Sequence, residues 1–179
     1  MFTRNGNVLE TLPRIKSMLE NVPWDDFVLD GEALGADWNE SASVVMSHKK
    51  GKDDSNMIFH VFDALPFSDW RDQESTLDLE SRIELVSELV GQVDNPAVVQ
   101  VPGRLVKNEA ELLEVYLADT DAGYEGVMLK DLGSPYLFKR SSNTRKMKPV
   151  ATYEGIIVGN YEGRRGSKRE GLWGGFEVV

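Results

Sequence analysis

Lys146 and Lys148 lie two residues apart in the run Thr144-Arg145-Lys146-Met147-Lys148-Pro149. In an extended strand that spacing puts both ammonium groups on one face. Two cations so placed repel each other unless an anion sits between them, and phosphate suits that position. The same pair would also serve as an exposed basic edge that keeps a strand from pairing with other chains. A second set of residues is acidic: Asp30 and Glu32 flank Gly31, Asp63 follows Phe62, and Glu125 precedes Gly126. A carboxylate at a strand mouth can ligate Mg²⁺ or accept a ribose hydroxyl, although any one of these acids taken alone reads more simply as a turn residue. Phe62 falls on the strand face opposite Val61, where its ring could stack on a nucleobase; alone, it would be a core residue. His48 and His60 have no partner pattern and are not assigned to catalysis.

Several chemistries are excluded outright. With no cysteine in 179 residues there is no disulfide framework, thiol nucleophile or cysteine-bound zinc. No Gly-x-Ser-x-Gly elbow supports serine hydrolysis. Gly171, Gly174 and Gly175 surround Trp173 with no helix to follow, so they are not a phosphate-binding fingerprint. The net charge of −10 argues at first against a polyanionic partner, but its distribution reverses that. Nine basic residues and two acids between Lys139 and Arg169 give +7 there, leaving −17 elsewhere. Such asymmetry points to a polyanion site at one end of the chain, or to a solvated basic loop.

The elements that would position these groups follow from periodicity. Thr11–Leu19 reads as a short helix capped by Thr11. Asp26–Leu34 and Met57–Leu65 read as strands ending on acids, the second stopped by Pro66. Trp38–Asp54 is polar and reads mainly as loop. Ser75–Val93 is the longest expected helix, with Leu79, Ile83, Val86 and Val90 on its apolar stripe and Arg82 off it. Ala97–Val101 and Gly126–Lys130 read as strands. Between them, Asn108–Leu117 carries a capping box formed by Asn108 and Glu111. Tyr153–Asn160 and Phe176–Val179 are strands about a Gly/Arg-rich turn, and Pro149 marks a boundary. Strands and helices without strict alternation predict an α+β fold with mainly antiparallel sheet.

In order and at fitting separations, five short runs resemble the ATP-dependent DNA ligases, above all the small phage-type enzymes. They are Thr3-Arg4-Asn5-Gly6, Phe27-Val28-Leu29-Asp30-Gly31-Glu32, Phe62-Asp63, Glu125-Gly126-Val127-Met128-Leu129-Lys130 and Lys146-Met147-Lys148-Pro149. The resemblance implies a nucleotidyltransferase (adenylation) domain over 1–149 and the first strands of an OB-fold barrel over 150–179. It implies ATP as AMP donor, Mg²⁺, and nicked double-stranded DNA as partner. AMP would pass through a lysine adenylate to the 5′-phosphate of the nick and then be displaced by the 3′-hydroxyl. All three steps move a phosphoryl group, so neutralisation by metal and lysine dominates.

Carried over by position, Arg4 would contact a phosphate of the nick and Glu32 would hold ribose or metal. Phe62 would stack on adenine, Glu125 would bind Mg²⁺, and Lys146 and Lys148 would hold the α-phosphate. Lys130 shares the Glu125 motif and is grouped with the nucleotide-binding residues. The family's nucleophile lies in a Lys-x-Asp-Gly-x-Arg run expected upstream of Arg4. No such run occurs here, since Lys52-Asp53-Asp54-Ser55 and Lys130-Asp131-Leu132-Gly133 have the wrong spacing. The expectation is therefore an internal fragment that does not adenylate itself, monomeric and cytoplasmic in a bacterial or phage-infected cell, with no membrane association. RNA ligases and mRNA capping enzymes use similar acids and paired lysines; a preference for guanine would mark the latter. A non-catalytic nucleic-acid-binding module would bind DNA without any nucleotide requirement.

Overall fold

A computed structural model describes residues 1–47, 53–150 and 154–179. The chain forms two compact units, Met1–Met147 and Lys148–Val179. In chain order the first unit holds α1 (Pro13–Glu20), β1 (Phe27–Leu34), α2 (Trp38–Val45), β2 (Ile58–Pro66), α3 (Phe67–Asp72), α4 (Leu79–Val93), β3 (Val98–Gln100), α5 (Glu109–Asp121), β4 (Val127–Lys130) and β5 (Thr144–Met147). The second holds β6 (Ile157–Glu162) and β7 (Trp173–Val178). Helices mixed with mainly antiparallel sheet make this the expected α+β class; among the described residues the one parallel pairing is β2 with β3.

β2 is the centre of the first unit, antiparallel to β1 on one side and parallel to β3 on the other. Its alternation separates two faces. Phe59, Val61 and Asp63 are buried, whereas Ile58 and Phe62 are exposed. Val61 packs in the core with Leu12 and Ile15 of the N-terminal region, Val44 of α2, Met57, Val86 and Leu89 of α4, and Val98. The β1–β2 register breaks once. Asp30 faces Asp63 and Gly31 faces Val61, so Phe62 has no partner on β1. Such a bulge re-aims a side chain locally. It also requires Gly31, where a Cβ would lie 2.6 Å from the His60 carbonyl oxygen and 2.7 Å from the Phe59 ring.

Several expectations are corrected. Trp38–Val45 is helical, not loop: Asp37 caps it by accepting from the Glu40 N–H at 2.8 Å, and Glu40 accepts from the Ala36 N–H at 2.6 Å. This capping box was present in a segment whose polar composition suggested a loop. The part of that stretch at 48–52, including His48, lies outside the described residues. α1 begins at Pro13, and Leu12 rather than Thr11 precedes it. Thr11 donates its hydroxyl hydrogen to the Val45 carbonyl instead. Pro66 ends its strand but leads directly into α3, which the sequence reading did not include. α4 starts four residues later than expected, where Asp78 accepts from the Ser81 N–H at 2.9 Å.

The face of α4 is also rotated from the expected stripe. Leu79, Arg82, Val86 and Leu89 are buried, and Ile83 is 39% exposed. Arg82 turns inward because Asp63 points into the core from β2 and needs a cation. α5 starts as expected: Asn108 accepts from the Glu111 N–H at 2.9 Å, and Glu111 accepts from the Lys107 N–H at 2.9 Å.

β4 and β5 form a separate antiparallel pair in which Met128 faces Lys146. In the second unit β6 and β7 form one antiparallel hairpin whose connecting residues carry Arg164, Arg165, Lys168 and Arg169; no closed barrel is present among the described residues. The expected strand start at Tyr153 lies outside the described residues.

The rotated helix face has a direct test in urea unfolding. Leu89→Ala is expected to lower stability by about 2–5 kcal/mol, and Ile83→Ala by less than about 1 kcal/mol. Equal losses would contradict the orientation of α4.

Candidate nucleotide-binding site

Asp63 lies near the end of β2 with a side chain only 6% exposed. One carboxylate oxygen accepts from Arg82 Nε at 2.7 Å, and the other is 3.4 Å from Lys130 Nζ. Arg82 is fixed in turn, donating through Nη1 to the carbonyls of Leu77 at 2.6 Å and Ser134 at 3.0 Å. The helix, the central strand, β4 and the loop after β4 thus meet at a single carboxylate.

Asp30, the cross-strand partner of Asp63, accepts from the Tyr136 hydroxyl at 2.8 Å. Burial holds the Asp30 carboxyl above its usual 3.8, with the neighbouring Asp63 charge adding to the rise; the Tyr136 hydrogen bond and Lys130 oppose it. Burial likewise pushes the Tyr136 phenol up, reinforced by the adjacent Asp30 carboxylate. The Tyr136 ring also lies 5.7 Å from the Arg82 guanidinium carbon and packs edge-on against Phe138. Asp30 and Asp63 are therefore engaged internally, and the strand-mouth acids left for a ligand are Glu32 and Glu125.

Glu32 is exposed on β1 directly opposite His60. Phe62 is 37% exposed at the bulge, on the same outer side of the sheet. Lys130 Nζ lies 5.2 Å from the centre of the Phe62 ring and 3.4 Å from the Phe62 carbonyl oxygen. Glu125 and Lys146 form a pair at 3.1 Å, with side chains 87% and 51% exposed.

The structure therefore joins Phe62 with Lys130, and Glu125 with Lys146. Among the described residues no hydrogen bond or ion pair ties Arg4 to either group. Arg4 stands exposed in a tight turn in which the Gly6 N–H donates to the Thr3 carbonyl at 2.9 Å. Placing Lys146 and Lys148 on one face of a single strand needs correction, because β5 ends at Met147 and Lys148 opens the second unit. The anion beside Lys146 in this structure is the Glu125 carboxylate.

Sequence reasoning missed Arg82 and Tyr136. An arginine among glutamates reads as a solvent face, and the only signal for Arg82 was a core-facing acid on β2 that needed a cation. Tyr136 sits in a loop without periodicity, and nothing local marks it.

Hard, singly placed carboxylates with open surroundings suit Mg²⁺, which keeps several waters and binds through one or two carboxylates together with substrate phosphates. Glu32 and Glu125 each meet that description. Among the described residues no group of three acids or histidines converges into a cage. No described helix is long and apolar enough to cross a membrane.

The chain is similar to known proteins in sequence and in fold. The family model for the ATP-dependent DNA ligase domain matches residues 1–148. A probable DNA ligase of Pseudarthrobacter chlorophenolicus is 32% identical over 167 residues, covering 88% of this chain and 31% of the relative. The solved structure "Pmar-Lig_PreS3" superposes with a TM-score of 0.84 at 26% identity, over 99% of this chain and 43% of that one. The ATP complex of the ATP-dependent DNA ligase from bacteriophage T7 shares the fold at a TM-score of 0.69 and 24% identity, over 99% of this chain and 63% of that one. The chain spans about a third of the length of the curated relatives it matches.

Two measurements test the buried network. Arg82→Ala leaves Asp63 buried with a weaker counter-charge and is expected to cost about 3–5 kcal/mol in urea unfolding; a loss below about 1 kcal/mol would show that Asp63 does not depend on it. Folded Asp30 binds its proton more tightly than unfolded Asp30. Its contribution therefore favours folding at low pH and is lost as pH rises from 3.8 through the raised folded value. Asp30→Asn removes that loss, so the stability of the variant relative to the parent is expected to increase as pH rises from about 3 to about 7. A difference independent of pH would contradict the burial of this carboxyl.

Proposed function

The chain belongs to the ATP-dependent DNA ligase domain family, and from that membership we propose that it supplies the nucleotide-holding core of an enzyme that seals nicks in double-stranded DNA at the expense of ATP. The observation that carries this reading is the Phe62 ring, exposed at a bulge where it has no partner on β1, on the side of the sheet to which Glu32 and His60 belong. In this reading adenine stacks on Phe62 and the ribose is held by Glu32. Lys146 binds the α-phosphate, and Lys130 belongs to the nucleotide pocket. Arg4 contacts a phosphate of the nick.

Glu125, and Glu32 where it is not engaged by ribose, would hold Mg²⁺, which when bound neutralises phosphate charge. The Glu125–Lys146 pair is solvated and worth at most about 1 kcal/mol, so Lys146 can exchange its carboxylate for a phosphate at little cost. The second unit corresponds to the opening strands of an OB-fold, with the basic residues between β6 and β7 available to the DNA backbone. The enzyme works as a monomer in the cytoplasm of a bacterial or phage-infected cell.

The test is an ATP titration of the chain in Mg²⁺, read by tryptophan fluorescence. Lys146→Ala is expected to weaken binding about tenfold or more while leaving the urea midpoint unchanged. Absence of ATP binding by the parent chain would overturn the nucleotide reading, unaltered affinity in the variant would remove Lys146 from the phosphate site, and a preference for GTP would favour a capping enzyme.

A further inference from the structure

Lys130 ends β4, and among the described residues its ammonium group makes three contacts near the end of β2. They are the Asp63 carboxylate at 3.4 Å, the Phe62 carbonyl oxygen at 3.4 Å and the Phe62 ring at 5.2 Å. The bulge explains why Phe62 needs them. Lacking a partner on β1, it is not oriented by a neighbouring strand there in the way Val61 and Asp63 are. A cation over the ring face and a donor on the carbonyl fix both the side chain and the backbone of the one residue the ladder leaves loose.

The local charge balance favours keeping Lys130 in place. Asp30 and Asp63 face each other across β1 and β2, and Arg82 and Lys130 are the two cations beside them. Drawing Lys130 onto a phosphate would leave two facing carboxylates with one cation, an arrangement that disfavours ionisation of both.

We infer that Lys130 is a positioning residue for Phe62, setting the ring on which the adenine stacks, and not a ligand of the nucleotide phosphates. The Arg82–Asp63 pair anchors it, so the order of dependence runs from Arg82 to Asp63 to Lys130 to Phe62. The inference rests on the proposed nucleotide site and specifies which part of the nucleotide Lys130 serves: the base.

Phosphate-free and phosphate-bearing ligands separate the two roles. Adenosine, followed by ligand-observed NMR, and ATP, followed by fluorescence, are titrated into the parent chain and into Lys130→Met, Lys130→Arg, Phe62→Ala and the Phe62→Ala/Lys130→Met double variant. Lys130→Met is expected to weaken adenosine and ATP by the same factor, about three- to tenfold. Lys130→Arg is expected to restore most of that loss, and Lys130→Met is expected to add nothing once Phe62 is alanine. Urea midpoints establish that each variant is folded, and Lys130→Arg retains the charge should Lys130→Met fail to fold. A loss confined to ATP, or an equal loss in the Phe62→Ala background, would overturn the inference while leaving the nucleotide site intact. Failure of the parent chain to bind either ligand would overturn both.

Discussion

A carboxylate cannot remain charged inside a protein without a partner, and the first unit is organised around that constraint at Asp63. The acid sits on the core-facing side of the central strand, where an apolar residue would pack most simply. Its burial requires Arg82 to turn inward from α4, and the guanidinium then requires acceptors, which it finds in the carbonyls of Leu77 and Ser134. Those carbonyls belong to the segment before α4 and the loop after β4. One buried charge thus ties four parts of the chain together. A hydrophobic replacement of similar volume could serve stability as well, but it would not fix Lys130 beside Phe62.

The outer face of the sheet depends on the inner one. The bulge at Phe62 exists because Asp30 and Asp63 are held as partners while Gly31 is already in register with Val61. Gly31 permits this by leaving room for the His60 carbonyl and the Phe59 ring. The extra residue has to go outward, since the inner side is filled by Val61 and its neighbours in the core. An exposed aromatic ring at that point is a consequence of packing on the opposite side.

Much of this was legible in the sequence where a local signal exists. The alternation in Met57–Leu65 identifies β2 and separates Val61 from Phe62, and Asn108 with Glu111 marks the start of α5. The five family-like runs, read in order, led to the family that the domain model then matched. What was not legible depends on distant partners. Arg82 looks like solvent face until Asp63 is placed beneath it, and Tyr136 has no neighbour in sequence that hints at Asp30. The helix at Trp38–Val45 was hidden differently, because serines, an asparagine and a glutamate suggest a loop while Asp37 and Glu40 in fact form a cap. The spacing of Lys146 and Lys148 suggests one strand's pair because a separation of two says nothing of where the strand ends.

Lys130–Asp63 and Lys146–Glu125, both in the first unit, differ in the property that decides their use. Lys130 is only 24% exposed and its partner Asp63 is buried, so its charge lies in a medium of low effective dielectric constant where separation from the carboxylate is costly. Glu125 and Lys146 face water, which screens their attraction and solvates each when apart. A site that must admit a triphosphate and a metal and later release products needs cations and carboxylates that change partners readily. A site that must present a ring at one fixed angle needs a cation that does not. Burial separates the two pairs by the same property: Lys146 and Glu125 can change partners, and Lys130 is held in place.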